Sequence, residues 1–183
     1  MTASAWRLAG AMFLGLAAAS GAMAAESADT PASAPAAAAT LPAANPDAPV
    51  MTDVRMVGDA KRTRFVADLS ANVEVTIFSL PDPYRVIVDL PEVTFRVPEG
   101  TGDNGRGLIK AFRYGQISPG KSRIVIDAGG PVAVDKSFVV PPSGGQPARL
   151  VIDVVPTSRK AFLDTAKAWR EKEEVAAAAQ RDR

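Results

Sequence analysis

The sequence predicts an all-β sandwich of two related four-stranded sheets, made by internal duplication and followed by a C-terminal helix. Three observations predict it. Between Met51 and Pro156, Val, Ile and Phe come in short runs separated by Gly, Pro, Asn and Asp, with no sustained helical period. That texture belongs to many short strands. A pentapeptide of Arg, three apolar residues and Asp occurs four times, as Arg64–Asp68, Arg85–Asp89, Arg123–Asp127 and Arg149–Asp153. Beyond Ser158, the residues Phe162, Leu163, Ala166 and Trp169 recur at helical spacing.

Taken in order, residues 1–24 read as a signal peptide. Arg7 supplies the positive start, Leu8 to Ala19 the apolar run, and Ala22-Met23-Ala24 a small-residue cleavage site, with the cut expected after Ala24. The run is short and rich in Ala and Gly, so no stable membrane span is expected after cleavage. Residues 25–50 hold eleven Ala and five Pro and read as a disordered linker, since such a composition buries too little to offset ordering entropy. Residues 51–156 then form one modest core. Strands are expected over Met51–Val57, Thr63–Leu69, Val73–Leu80, Tyr84–Leu90, Val93–Val97, Leu108–Tyr114, Ser122–Ala128, Val132–Val140 and Ala148–Val154. Residues 157–183 form the helix or connector, capped by Thr157 or Ser158 after Pro156. The helix reaches Arg183 without a C-cap, which suggests a following segment in a parent protein.

Composition removes several function classes. The chain has no His and no Cys, and without His neither a His-based nucleophile system nor a His-ligated zinc site can be assembled. Without Arg7 the chain carries 20 basic and 20 acidic residues, and no nucleic-acid partner is expected. An exported chain without disulfides must be held by burial alone.

The pentapeptides reveal the duplication. The first and third align at an offset of 59, which also matches Val73 with Val132 and Val75 with Val134. One residue later Phe78 meets Phe138 and Pro81 meets Pro141; the second and fourth pentapeptides align at an offset of 64. The strands leading each half end in Gly58 and Gly115. Each half so read supplies four strands, and two such sheets packed face to face bury both apolar faces. Residues two apart on a strand share a face. Phe65/Ala67, Val86/Val88, Ile124/Ile126 and Leu150/Ile152 therefore point to the core. Each Arg, central apolar residue and Asp point outward. Within one strand Arg and Asp stand about 13 Å apart, too far to pair, yet they can pair with neighbouring strands. Phe78 and Phe138 are expected in the core, and Trp169 in helix packing.

The run Phe78-Ser-Leu-Pro-Asp-Pro-Tyr-Arg-Val-Ile-Val-Asp-Leu-Pro91, with Arg113-Tyr-Gly-Gln-Ile-Ser-Pro-Gly-Lys-Ser-Arg-Ile-Val-Ile-Asp127, resembles the AMIN domain, over roughly Val50 to Pro156. The resemblance implies a non-catalytic periplasmic module that binds peptidoglycan and directs its protein to the cell envelope, notably the division septum. It also implies a place at the N-terminus of a zinc-dependent N-acetylmuramoyl-L-alanine amidase. The zinc domain itself is not in this chain, so no catalytic residue, metal or cofactor is expected here, and an amidase activity would belong to the parent. The expected peptidoglycan-binding residues are Arg85, Ile87, Asp89, Arg149, Val151 and Asp153, then Arg123 and Asp127, with Tyr84 able to stack on a sugar ring. Arg can donate to carboxylates of the wall polymer and Asp can accept from sugar hydroxyls. Two other readings stand beside this one. One is a protein–protein module of an envelope assembly such as a type IV pilus secretin, with envelope or division proteins as partners. The other is a carboxylate hydrolase using Glu92 and Asp103, with the Gly-rich stretch from Pro98 to Gly107 as a lid or phosphate nest.

Overall fold

The computed structural model describes residues 45–181; the expected signal peptide and most of the expected linker lie outside them. Nine strands and one helix follow in order: β1 Val50–Gly58, β2 Thr63–Leu69, β3 Thr76–Leu80, β4 Arg85–Pro91, β5 Thr94–Phe95, β6 Ile109–Ser118, β7 Lys121–Ala128, β8 Val132–Val140, β9 Ala148–Pro156 and α1 Arg159–Arg181. They build a five-stranded sheet, β5-β1-β2-β9-β8, and a four-stranded sheet, β3-β4-β7-β6. Two-residue β5 is an addition to the repeat, pairing in parallel with the start of β1.

The sandwich of two related sheets is as expected, but the halves do not form one sheet each. Every sheet takes one hairpin from each half. β1-β2-β9-β8 corresponds, strand for strand under the duplication, to β6-β7-β4-β3. The Arg–Asp strands lie at the centre of both sheets, β2 beside β9 and β4 beside β7. Each half thus contributes to both layers, and neither half can bury its apolar residues without the other.

Alternation decides the core. Phe65, Ala67, Val86, Val88, Ile124, Ile126, Leu150 and Ile152 all have no exposed surface. Phe65 of one sheet meets Phe112 of the other edge-to-face, ring centroids 5.2 Å apart, a geometry that places a ring edge on a π face.

The one-residue slip in the internal alignment has a physical cause. β8 carries a bulge between Val134 and Lys136 where it pairs with β9, and the extra residue there is Asp135. Because of it, Phe138 falls opposite Val151, just as Phe78 on regular β3 stands opposite Ile87. Both phenylalanines therefore carry the parity of the outer face, not of the core, and Phe138 is 44% exposed. The matching of Gly58 with Gly115 is one residue out of register. Gly58 stands opposite Thr63, whereas Ser122, the equivalent of Thr63, faces Gln116. β6 runs on to Ser118, and the turn is made at Gly120, φ +76°.

Ser158 caps α1, its Oγ accepting from the Ala161 amide at 3.1 Å. The apolar stripe then buries Phe162 and Ala166. Phe162 stands with Ala161 and Thr165 beside Ile77 and Ser79 of β3 and Val132 to Val134 of β8, closing the side where the two sheets part. Its ring meets Tyr84 edge-to-face at 5.1 Å.

Candidate functional site

The predicted site residues do not converge on one pocket. They divide between the two outer faces of the sandwich, Arg85, Ile87, Asp89, Arg123 and Asp127 on the four-stranded sheet, and Arg149, Val151 and Asp153 on the five-stranded one. On each face the register sets three rows across four strands. On the five-stranded sheet they are Val57-Arg64-Asp153-Lys136, Arg55-Val66-Val151-Phe138 and Asp53-Asp68-Arg149-Val140. On the other sheet they are Gly115-Arg123-Asp89-Thr76, Arg113-Val125-Ile87-Phe78 and Ala111-Asp127-Arg85-Leu80.

Antiparallel pairing of two Arg–Asp strands puts each Arg directly opposite an Asp. Three of the four resulting pairs close. Arg64 grips Asp153 through Nε and a terminal nitrogen at 2.7 and 2.8 Å. Its equivalent Arg123 grips Asp89 at 2.6 and 2.8 Å. Such two-pronged contacts fix geometry as well as charge. Arg149 donates its Nε to Asp68 at 2.7 Å. The fourth pair stays open: Asp127 is met instead by Arg113 at 3.3 Å, and the Nε of Arg85 is buried with no hydrogen-bond partner among the described residues. Arg55 reaches Asp68 and Asp53 at 3.0 and 2.7 Å. Arg55 and Arg113 hold equivalent places on β1 and β6, opposite Val66 and Val125 and outside the pentapeptide motif, so the repeat carries no signal for them.

Burial limits what the carboxylates can do. Asp153 is fully buried, bound by Arg64 and at 3.4 Å by Arg62, which also meets the bulged Asp135 at 2.7 Å. Asp153 therefore holds the two strands together and is not free to accept from a ligand. Hydrogen bonds from Arg64, working against burial and aided by the charges of Arg64 and Arg62, keep its carboxyl below the ordinary value. For Asp68 burial acts upward, but hydrogen bonds from Arg149 and Arg55 and their charges outweigh it and the carboxyl ends below its ordinary value. Both groups stay charged in the fold at pH values where the unfolded chain would take up protons. Their stabilisation is complete above the ordinary value of 3.8 and drains away as pH falls through the lowered folded values. Asp153→Asn is expected to cost about 1–3 kcal/mol at neutral pH. It should also flatten the loss of stability on acidification, read from urea melts between about pH 5 and about pH 2.

The apolar centres of the rows are sheltered: Ile87 is 2% exposed, Val151 5% and Val66 6%. Tyr84 is engaged with the helix, through its ring on Phe162 and its hydroxyl, which accepts from Arg159 at 3.4 Å. On the four-stranded sheet Trp169 lies flat on Phe78, centroids 4.7 Å apart and planes 3° from parallel, and the guanidinium of Arg123 stands over the Phe78 ring, 5.7 Å from its centroid. Trp169 is thus helix packing, as expected. Phe138, at the equivalent place on the other sheet, is uncovered among the described residues. Glu92 accepts from Gln116 at 3.5 Å and Asp103 lies exposed in the loop before β6. No group of three or more acidic side chains that could hold a metal ion occurs among the described residues, and no described helix is long and apolar enough to cross a membrane.

Comparison with known proteins fits this architecture. The chain is similar to the N-acetylmuramoyl-L-alanine amidase AmiC of Neisseria meningitidis serogroup B, 31% identical over 113 residues, covering 60% of this chain and 27% of that protein. It therefore corresponds to about a quarter of the relative's length. Residues 53–154, from Asp53 within β1 to Val154 within β9, match the AMIN domain, and the chain belongs to the AMIN domain family.

Proposed function

We propose that this chain is a peptidoglycan-binding module, acting in the periplasm and holding a cell-wall N-acetylmuramoyl-L-alanine amidase, of which it forms the N-terminal part, at the envelope and septum. The observation that carries the reading is the match of residues 53–154 to the AMIN domain, beside a likeness to an amidase. The outer faces support it chemically. Both carry ion-paired Arg side chains, and the five-stranded one adds exposed Phe138, Val140 and Val57; a glycan strand bearing peptide stems offers carboxylates, amides and hydroxyls to the first and the apolar faces of its sugar rings to the second. The module adds no catalysis: it supplies position and local concentration to whatever it is joined to.

The purified chain is expected to sediment with purified sacculi and to release no soluble fragments from them. Failure to sediment, with retention instead by a defined envelope protein, would replace this reading with that of a protein-docking module. Release of fragments would revive the carboxylate hydrolase.

A further inference from the structure

The two outer faces are copies of one surface, yet they are not equally accessible. Phe78 and Phe138 occupy equivalent positions, opposite Ile87 and Val151. Phe78 is covered by the Trp169 ring. One turn further along α1, Glu173 lines the same cleft as Phe78, Arg123 and Trp169. The helix thus presents a flat ring to the phenylalanine and a carboxylate to the arginine. Arg64 is the equivalent of Arg123 on the five-stranded sheet, and both grip an aspartate in the same two-pronged manner. There Phe138 is 44% exposed, and its neighbour Val140 is equally open.

We propose that α1 closes one of two equivalent ligand faces by imitating the ligand, so that the five-stranded sheet, with Phe138 as its stacking platform and Arg64 and Arg149 beside it, is the working face. This rests on the reading of the chain as a peptidoglycan binder. What covers Phe78 indicates what Phe138 takes: a flat ring with a carboxylate at the distance of one helical turn. A sugar ring with its lactyl or peptide carboxylate has that chemistry. Charge agrees, since the rows of the open face hold Arg55, Arg64, Lys136 and Arg149 against Asp53, Asp68 and Asp153. Arg149 spends only its Nε on Asp68 among the described residues, so donors remain for an anionic group. Release of α1 would expose a second face and turn a single contact into two.

The test compares equivalent residues in the full chain, with sedimentation on purified sacculi over a concentration series read as affinity. Phe138→Ala should weaken binding about tenfold, the loss of one aromatic platform, while Phe78→Ala leaves affinity unchanged. Trp169→Ala should tighten binding through the second contact at least several-fold, and should restore binding in the Phe138→Ala background. Phe138 is exposed, so its variant keeps the fold, checked by an unchanged thermal melt. Equal effects of Phe138→Ala and Phe78→Ala, or unchanged affinity in Trp169→Ala with an intact sandwich, would overturn the masking. Wild-type protein that fails to sediment would overturn the functional reading beneath it as well.

Discussion

Phe65→Ala is expected to lower the unfolding free energy by about 3–5 kcal/mol, the cost of deleting a large ring from a site that cannot collapse around the gap. Phe65 has no exposed surface. It projects from β2, a central strand, and meets Phe112 across the sandwich. Removing it abolishes the burial of the ring, leaves a cavity between two rigid sheets, and takes from Phe112 an edge-to-face contact worth about 0.5–1.5 kcal/mol beyond area. Domains of this size have only about 5–15 kcal/mol in total, so the variant should melt at markedly lower urea with an unchanged slope. Phe138→Ala is the control, because the same residue type on the outer side of β8 should stay within about 0.5 kcal/mol of wild type. A loss below about 1 kcal/mol in Phe65→Ala would contradict the packing of the two sheets through this ring pair.

That contrast between two phenylalanines shows where the sequence could be read and where it could not. Alternation within a strand is local, and it assigned the inward residues of β2, β4, β7 and β9 correctly, from Phe65 to Ile152. The sides of Phe78 and Phe138 depend on a register across strands. The bulge at Asp135 sets it for β8, and an apolar residue type alone pointed the wrong way. The repeat was legible because four Arg–Asp strands recur, and the register turns that recurrence into opposed charges. The allocation of hairpins to sheets was not legible, since a sequence repeat is compatible with two separate sheets or two interleaved ones. Likewise the helix could be predicted from its period, but not the face it would cover. The contact of Trp169 with Phe78 joins residues far apart in the chain. Asp153 was read as a hydrogen-bond acceptor for ligand, and only the fold places it beneath Arg62 and Arg64 with no exposed surface.

The glycines before β6 give the last expected result: Gly107→Ala should cost about 2–4 kcal/mol, well above the cost at Gly120. The two residues share a left-handed backbone, φ +58° and +76°, so both variants carry the strain of a side chain there, about 1 kcal/mol. They differ in space. A Cβ on Gly120 meets nothing within 4 Å, whereas one on Gly107 would collide with the Thr63 hydroxyl and the Asp59 carbonyl. Those groups already bond each other at 2.8 Å, and the same hydroxyl accepts from the Leu108 amide at 2.9 Å. Arg106 donates to the Gly58 carbonyl at 3.0 Å, and the Phe112 amide to the Gly102 carbonyl at 2.9 Å. The segment is therefore a clasp that ties the β1–β2 turn of one sheet to β6 of the other, and its glycines serve close backbone approach, not the lid or phosphate nest that their number suggested. Thermal melts of Gly107→Ala and Gly120→Ala separate strain from crowding. Equal losses would mean that backbone conformation alone matters at Gly107 and that the clasp has room to give. The expected larger loss at Gly107 would show that this loop holds the sheets together and so keeps both outer faces in register.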